Sequence, residues 1–553
     1  AAEALAAAVA RQTGAEVVVP PHPGTIGALG IALLARRERP VATADCVGLD
    51  AQRFLEAQVL DKDHFVCKAV VGCGGAGNKC RIERIRTRVA GKRQKFTWGG
   101  GCSLFDRGTG RTKLPDGAPD PFREREELID ALIEGLPRNQ RGERIAITDE
   151  FVLKGLFPFF ATFFAELGYR LEVLRGADQR VLKRGIEEGN VPFCAPMQLY
   201  HGVVSTLADE PRDWLFLPML LSSVPVADEP RSVLCPMVQG SADLNRWDLA
   251  TRGRANQQRI LSPVLDIEKD GLRGKTFLAG ITRLVTELGG DQPAWRRAYE
   301  RAVTAQEQFD RRLKALGTRA LAFCAERGVT PVVVLGRPYT IYNRVLNSNV
   351  PAILREQGAI AIPVDCYPVA ADVPIFNEMY WGYGQLNLRA AHQIRRTAGT
   401  YSLWCSNYAC GPDSFTLHFY GYLMEGKPYA VIETDGHAGD AGTRTRVEAF
   451  LHCVREDQGH GDARASIPPR NDLVRIEKDT TTLSEIRSCG ERLLIPRMGP
   501  TAAVIAACFR GVGIPAESLP VPDREALAMG RRHTSGKECV PMAITIGSLL
   551  MRI

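Results

Sequence analysis

The stretch RIAITDEFVLKGLFPFFATFFAELGYRLEVL, residues 144–174, decides the fold. RIAIT and YRLEVL are short β-type runs, and FVLKGLFPFFATFFAELG (151–168) between them is the most hydrophobic window of the chain. That window carries Lys154, Pro158 and Glu166. It therefore lacks the uninterrupted run of about 18 apolar residues that a membrane span needs, and reads as a buried helix. Strand, buried helix, strand is the unit from which parallel sheets are built. The alternation continues through WLFLPML to about Asp248. It restarts at PVVVLGRPYTIYN (331–343) and runs to about Val454, and RLLIPRMGP (492–500) opens a third round. The fold class is α/β and multidomain.

Working outward from these runs divides the 553 residues into eight segments. Residues 1–40 read as a helix, a strand (EVVVPPHP) and a Gly-rich helix start, and 41–115 form a Cys-bearing segment. Residues 116–142, with KLPDGAPDPF and the charged helix REREELIDALIEGL, read as a linker. A first α/β lobe follows over 143–254, a helical segment over 255–330, and a second α/β lobe over 331–455. Residues 456–490 are a second linker, and 491–553 start a repeated α/β lobe that is truncated. Because the chain opens on Ala1 within a helical run, it is expected to be a fragment cut at both ends.

Lys and Arg total 70 against 63 Asp and Glu, a net charge of +7 without a block of five or six basic residues. Such a balance describes a solvated surface, so no nucleic-acid partner is expected, and no membrane partner either. The 15 cysteines are odd in number, spread over a long chain and without a secretory segment. That usage points to a cytoplasmic protein with reduced thiols or metal ligands rather than a disulfide framework.

Two cysteine loops look alike: NVPFCAPMQLYHG (190–202) and SGKECVPMAITIG (535–547). Gly168 to Gly185 is 17 residues, as is Gly513 to Gly530, and both Gly168 to Cys194 and Gly513 to Cys539 span 26. Ungapped agreement of that kind argues for an internal duplication in which Cys194 and Cys539 are one position. Two further cysteines share the setting, Cys235 in VLCPMVQGSAD (233–243) and Cys410 in SNYACGPDSF (406–415). A thiol at a loop-to-helix junction has unpaired N–H groups near it, which favour the thiolate. Iron–sulfur clusters take thiolate ligands from such Gly- and Pro-bearing loops. Buried core thiols are the competing reading, and it is the one adopted for Cys324 and Cys508 in helical stretches.

In FVCKAVVGCGGAGNKCRIERI (65–85), Gly72, Gly74 and Gly77 fit G-x-G-x-x-G, but no acidic residue stands about 20 positions on, where a dinucleotide fold needs one. Cys67, Cys73, Cys80 and Cys102 offer a structural metal site, zinc for example. Their spacing, C-x5-C-x6-C-x21-C, is looser than the C-x2-C pairs of zinc ribbons. GLRGKTF (271–277) has Lys269 where a phosphate loop needs Gly, and is rejected. GRPYTIYN (336–343) follows a strand, so Arg337, Tyr339 and Asn343 stand at a carboxyl end, where α/β domains bind ligands; a plain turn fits equally. The Gly-rich loop with Asp435, His437, Asp440, Arg444 and Arg446 reads as a capped surface helix, and His201 as a satisfied core group.

Together these pieces resemble a known family. PPHPGTIGALGIALLAR looks like the closing strand and helix of the ATPase domain in activases of 2-hydroxyacyl-CoA dehydratases, of actin/Hsp70/sugar-kinase fold. VGCGGAGNKCRIERI with WGGGC, then PFCAPMQLYHG, VLCPMVQGSADL, VVVLGRPYTIYN, SNYACGPDSF, DAGTRTRVEAF and TSGKECVPM are similar to the succession in its large multidomain members, over essentially the whole chain. The resemblance implies flavodoxin-like parallel-sheet lobes of the dehydratase-subunit and double-cubane type after an ATPase tail. It implies one 4Fe-4S or 8Fe-9S cluster on Cys194, Cys235 and Cys410, with Cys539 starting the equivalent set in the next copy. It further implies ATP-coupled, low-potential electron transfer, a ferredoxin- or flavodoxin-like donor, a cluster-bearing acceptor and a homodimer. ATP would be bound in the part of the activase domain that this sequence lacks, so this chain alone is not expected to hydrolyse it. Two other readings stay open: a dehydratase-like enzyme acting on a 2-hydroxyacyl-CoA, and a non-catalytic scaffold with structural zinc.

Overall fold

The computed structural model describes residues 2–19, 26–27, 29–30, 33, 56, 58–69, 79–89, 91–100, 105, 113–137, 142–189, 194–229, 231–253, 259–267, 270–289, 292–434, 441–459, 481–534, 538 and 540–553. The chain divides into two compact units, 1–62 with 85–95, and 63–84 with 96–553. The smaller contains helix α1 (Ala2–Thr13). Of the strand expected over EVVVPPHP, the described residues 16–19 have no regular structure. Three strands, β1 (Gln58–Val66), β2 (Arg81–Val89) and β3 (Lys92–Trp98), follow in the Cys-bearing segment.

The larger unit is built on parallel sheets. In the first lobe, strands β4 (Arg144–Thr148), β5 (Arg170–Leu174), β6 (Trp214–Phe216) and β8 (Arg259–Leu261) stand in the order β5-β4-β6-β8, all parallel. A second pair, β7 (Met219–Leu220) and β9 (Val264–Leu265), lies beyond it. The first sheet thus takes a strand from past residue 254, where the sequence suggested the lobe would end. The second lobe has β10 (Thr330–Leu335), β11 (Ala359–Pro363), β12 (Tyr401–Asn407) and β13 (Tyr429–Thr434) in the order β11-β10-β12-β13. In both sheets the second strand falls outside the first, so the strand order reverses between the first and third strands. At such a switch point the two loops part and leave a crevice.

Helices cover these sheets. α2 (Pro121–Glu134) comes from the stretch read as a linker, yet it is packed into the body: Arg125 and Ile129 are buried. The Arg125 guanidinium reaches Asp149 at 2.9 Å, and the Asp149 carboxylate also takes Lys154 at 3.3 Å. α3 (Phe157–Glu166) is the buried helix of the opening stretch, but it starts late. Residues 151–153 form a 3-10 turn instead, with Pro158 in the first turn of α3. α4 (Gln179–Glu188) and α5 (Ala195–Leu207) cross closely. A Cβ on Gly185 would lie 1.8 Å from the Gln198 carbonyl oxygen, and one on Gly202 1.9 Å from that of Val181. Only glycine permits that approach. α6 (Pro236–Gln239), α7 (Ser241–Thr251) and α8 (Lys275–Glu287) complete the first lobe.

The 36-residue α9 (Gln292–Arg327) joins the lobes. Its Gln306 amide bonds to Phe159 N and Gly155 O, and Lys314 Nζ donates to Tyr367 O at 3.0 Å. α10 (Pro338–Ile341), α11 (Val350–Glu356), α12 (Gly382–Arg396), α13 (Gly411–Met424) and α14 (Ala441–Gly459) belong to the second lobe. One apolar core runs through both.

After α15 (Leu483–Cys489), the third round has β14 (Leu493–Ile495) parallel to β15 (Ala516–Ser518), with α16 (Thr501–Gly511), α17 (Arg524–Arg532) and α18 (Val540–Leu550). The order repeats β4-α3-β5-α4-α5. Gly530 and Gly547 make the same crossing, each added Cβ landing 1.7 Å from a carbonyl oxygen. Cys508, expected in a core, is exposed, because α16 buries only Ala502 and Ala506.

Candidate functional site

Three cysteines occupy the same local position. Cys194, Cys235 and Cys410 are the N-cap residues of α5, α6 and α13, each with Pro in the first turn. Proline has no N–H to waste there, and its fixed φ starts the helix, so Cys-Ala-Pro, Cys-Pro and Cys-Gly-Pro all end a loop on a thiol. The main-chain oxygens of Cys194 and Cys235 close the first turns, accepting from Met197 and Gln198, and from Val238 and Gln239. Cys410 Sγ accepts the Asp413 N–H at 3.4 Å.

Long-range pairing gathers these caps. The Cys235 loop is tied to the second lobe, since Val233 N donates to Tyr380 O at 2.8 Å and Gly382 N to Val233 O at 3.2 Å. Cys235 lies within electrostatic reach of Cys194, and Cys194 of Cys410. Burial pushes the Cys194 thiol up, opposed by the Met197 N–H and the Arg337 guanidinium. Burial likewise holds Cys410 well above the ordinary thiol value, with Arg337 opposing and Asp413 adding to the rise.

Arg337 is the cation of this site. It caps α10 directly after Gly336, whose φ of 141° and 2.6 Å approach of an added Cβ to Cys405 O exclude a side chain. Asn387 holds that glycine from both sides, accepting from Gly336 N at 2.7 Å and donating to Gly336 O at 3.2 Å. Arg337 is 5 % exposed; its Nη2 stands 3.1 Å from Asp413 Oδ2 and donates to Asn407 Oδ1 at 3.1 Å. Its Nε is buried and has no hydrogen-bond partner among the described residues. Asp413 also accepts from Ser406 Oγ at 2.6 Å. Burial disfavours the charged guanidinium, but Asp413 and Cys410 outweigh it, so Arg337 stays charged.

An aromatic wall closes the other side. Phe151 stacks on Tyr200 with ring centres 4.8 Å apart and meets Tyr339 at 5.1 Å, and Tyr339 meets Tyr383 at 6.0 Å. Phe151 has φ 50°, a strained conformation for a bulky residue. The preceding Glu150 is buried and accepts from Ala177 N and Asn343 Nδ2. Burial raises its carboxyl above the usual value.

Of the other expected residues, Cys67 and Cys80 are neighbours, Cys67 N donating to Cys80 O at 2.8 Å. Cys73, Cys102 and Cys539 lie outside the described residues, as do Asp435, His437 and Asp440. Glu538, one residue before Cys539, stands 3.1 Å from His418 Nε2 on α13. His201 is buried, its Nε2 3.0 Å from Asp248 Oδ2. Among the described residues no three His, Cys, Asp or Glu side chains are grouped to hold a metal ion. A single zinc, with Zn–S about 2.3 Å, needs its sulfurs nearly touching; a cluster spreads its thiolates over several metal atoms. Among the described residues no helix is long and apolar enough to cross a membrane. Asp413, Asn407, Tyr200 and Phe151 were not singled out from sequence. Asp413 had a visible signal, an acidic residue in the first turn after Cys410.

Comparison with known families places residues 144–367 in a match to the model described as "CoA enzyme activase uncharacterised domain (DUF2229)". At a coarse level, that match supports a relation of residues 144–367 to CoA enzyme activases. No curated protein matches. Among solved structures, a protein assigned as a phosphosugar isomerase from Bacillus subtilis is 11% identical, with 64% of this chain and 95% of that one covered and a TM-score of 0.18. The C-terminal domain of glucosamine-fructose-6-phosphate aminotransferase from Francisella tularensis is 10% identical, with 61% and 95% covered and a TM-score of 0.17.

Proposed function

We propose that this chain is an iron–sulfur protein for ATP-coupled, low-potential electron transfer in a 2-hydroxyacyl-CoA dehydratase-like system. The observation that carries the reading is the set of three thiols, Cys194, Cys235 and Cys410, capping three helices beside one buried guanidinium. That donor set suits a cluster. Soft thiolates select iron–sulfur groups, and Arg337 offsets part of their charge. A cluster held there would supply one-electron chemistry at low potential. The chain's own residues do the rest: Gly336 and Asn387 fix Arg337, Asn407 and Asp413 orient it, and Phe151, Tyr200 and Tyr339 exclude water. The order of both four-stranded sheets, second-first-third-fourth, is compatible with flavodoxin-like lobes and supports the same reading. ATP hydrolysis, a ferredoxin- or flavodoxin-like donor and a cluster-bearing acceptor belong to the same proposal.

Iron and acid-labile sulfide, measured on anaerobically purified protein beside Cys194→Ser and Cys410→Ser, test it. About three to eight irons per chain, falling sharply in both variants, is the expected result. Wild-type protein without iron, but with zinc that is lost on changing Cys67 or Cys80, would replace this reading with that of a scaffold.

A further inference from the structure

We infer that Arg337 is the counter-ion that sets the reduction potential of this site, and that Asp413 tempers it. The inference rests on the proposed iron–sulfur reading and adds a role that neither the motifs nor the family match assigns. Its basis is geometric. Arg337 is fixed at the switch point of the second sheet, between the ends of β10 and β12, by a backbone turn that only glycine can make. Its guanidinium pairs with Asp413 at 3.1 Å, and the Asp413 N–H in turn bonds to Cys410 Sγ at 3.4 Å. Arg337 and Asp413 are therefore linked to each other and, through the backbone, to the Cys410 thiol.

A buried Arg remains protonated throughout the accessible pH range. Its charge is thus a constant part of the field, unlike that of a lysine or histidine. Adding an electron makes the thiolate-bound group one charge more negative. In a medium of low dielectric constant, a fixed positive charge nearby favours that reduced state, and a carboxylate opposes it. A group held by Cys194 and Cys410 beside a full guanidinium charge, without Asp413, would reduce too readily for low-potential work. With Asp413 ion-paired to it, the guanidinium acts as a partial charge. The pair is thus a trimming device rather than a simple salt bridge. The unpartnered Nε–H, buried with the rest of the side chain, is the donor left to address the group itself.

The test is an equilibrium redox titration with titanium(III) citrate, followed by visible absorbance and electron paramagnetic resonance. One electron passes from Ti(III), which becomes Ti(IV), and no bond is made or broken in the protein. Iron and sulfide are determined on the same samples. Arg337→Gln is expected to lower the reduced-to-oxidised ratio at fixed potential about tenfold, a shift of about 59 mV to more negative potential. Arg337→Lys, which keeps the charge, should remain near wild type, and Asp413→Asn should shift the potential the opposite way. Opposite signs for the two neutralising variants are something a merely structural role would not produce. Full iron content with unchanged potentials in Arg337→Gln and Asp413→Asn overturns the counter-ion role while leaving the cluster reading intact. Iron lost from both Arg337→Gln and Arg337→Lys also overturns it, making Arg337 a folding contact. Wild-type protein without iron overturns the cluster reading itself, and this inference with it.

Discussion

The first lobe and the third round of the chain contain the same helix pair in two different environments. α4 and α17 start on the same kind of cap, Asp178 accepting from Arg180 and Val181 N–H and Asp523 from Glu525 and Ala526. Both pairs cross on two glycines. Beyond that they part. α5 buries nearly every residue, with Met197 fully enclosed, whereas α18 buries only Ala543 and Gly547 and leaves Val540 and Met542 exposed. Near one end, Phe159 and Phe160 of α3 are buried, while Val504 and Ile505 of α16 are open. Local geometry was kept and the surroundings were not. Crossing and capping are therefore properties of the local sequence, and burial is a property of what packs on top.

Truncating the two equivalent methionines should separate these contributions most widely. Met197→Ala is expected to cost about 2–5 kcal/mol, and Met542→Ala about 0.5 kcal/mol or less, read by native-state hydrogen exchange of each helix. Equal costs would mean that α18 is covered in solution. Next come the glycines. Gly202→Ala should cost about 3 kcal/mol, because α5 is held on every side, while Gly547→Ala should cost about half as much, since α18 can retreat into water.

The two regions differ in their carboxyls too. Burial raises Glu229, in the loop that leads to Cys235, to about 7, whereas Arg552 holds Glu517 below the usual value. A carboxyl raised on folding binds its proton more tightly in the native state. Stability at Glu229 is then lost as pH rises from about 4.5 through about 7 and stays lost above. Glu229→Gln should remove that slope and stabilise at pH 8 by on the order of 1–3 kcal/mol, visible in urea titrations at pH 5 and 8. The most even effect should be that of the caps: Asp178→Ala and Asp523→Ala at about 1 kcal/mol each. Unequal values there would show that the caps, too, depend on burial.

Much of this was legible in the sequence. Apolar runs such as RIAIT and PVVVL became central parallel strands, and Cys-Pro spacing marked the starts of three helices, at Cys194, Cys235 and Cys410. What escaped is decided between distant residues. Arg125 sits in a run of charges that reads as a solvated linker helix, and Asp149, the Lys154 carbonyl and the Tyr342 ring, brought close by the fold, explain its burial. Phe151 gives no sign of its φ of 50°, since nothing local favours it; its stacking on Tyr200 and Tyr339 holds it there. The strand expected over EVVVPPHP had the right composition, yet its described residues 16–19 have no regular structure.

The span of α9 has a consequence in time rather than space. At about 1.5 Å per residue it is roughly 54 Å long, and its Gln306 and Tyr299 cover the aromatic helix α3. During synthesis, the last residue of α9 follows the end of α3 by roughly 160 positions, or about 10–30 s at 5–20 residues per second. For that interval FPFFATFFAE leaves the ribosome with its final cover unmade. The first lobe is thus finished only when the second is about to begin, and the nascent chain carries an aggregation-prone face through that delay.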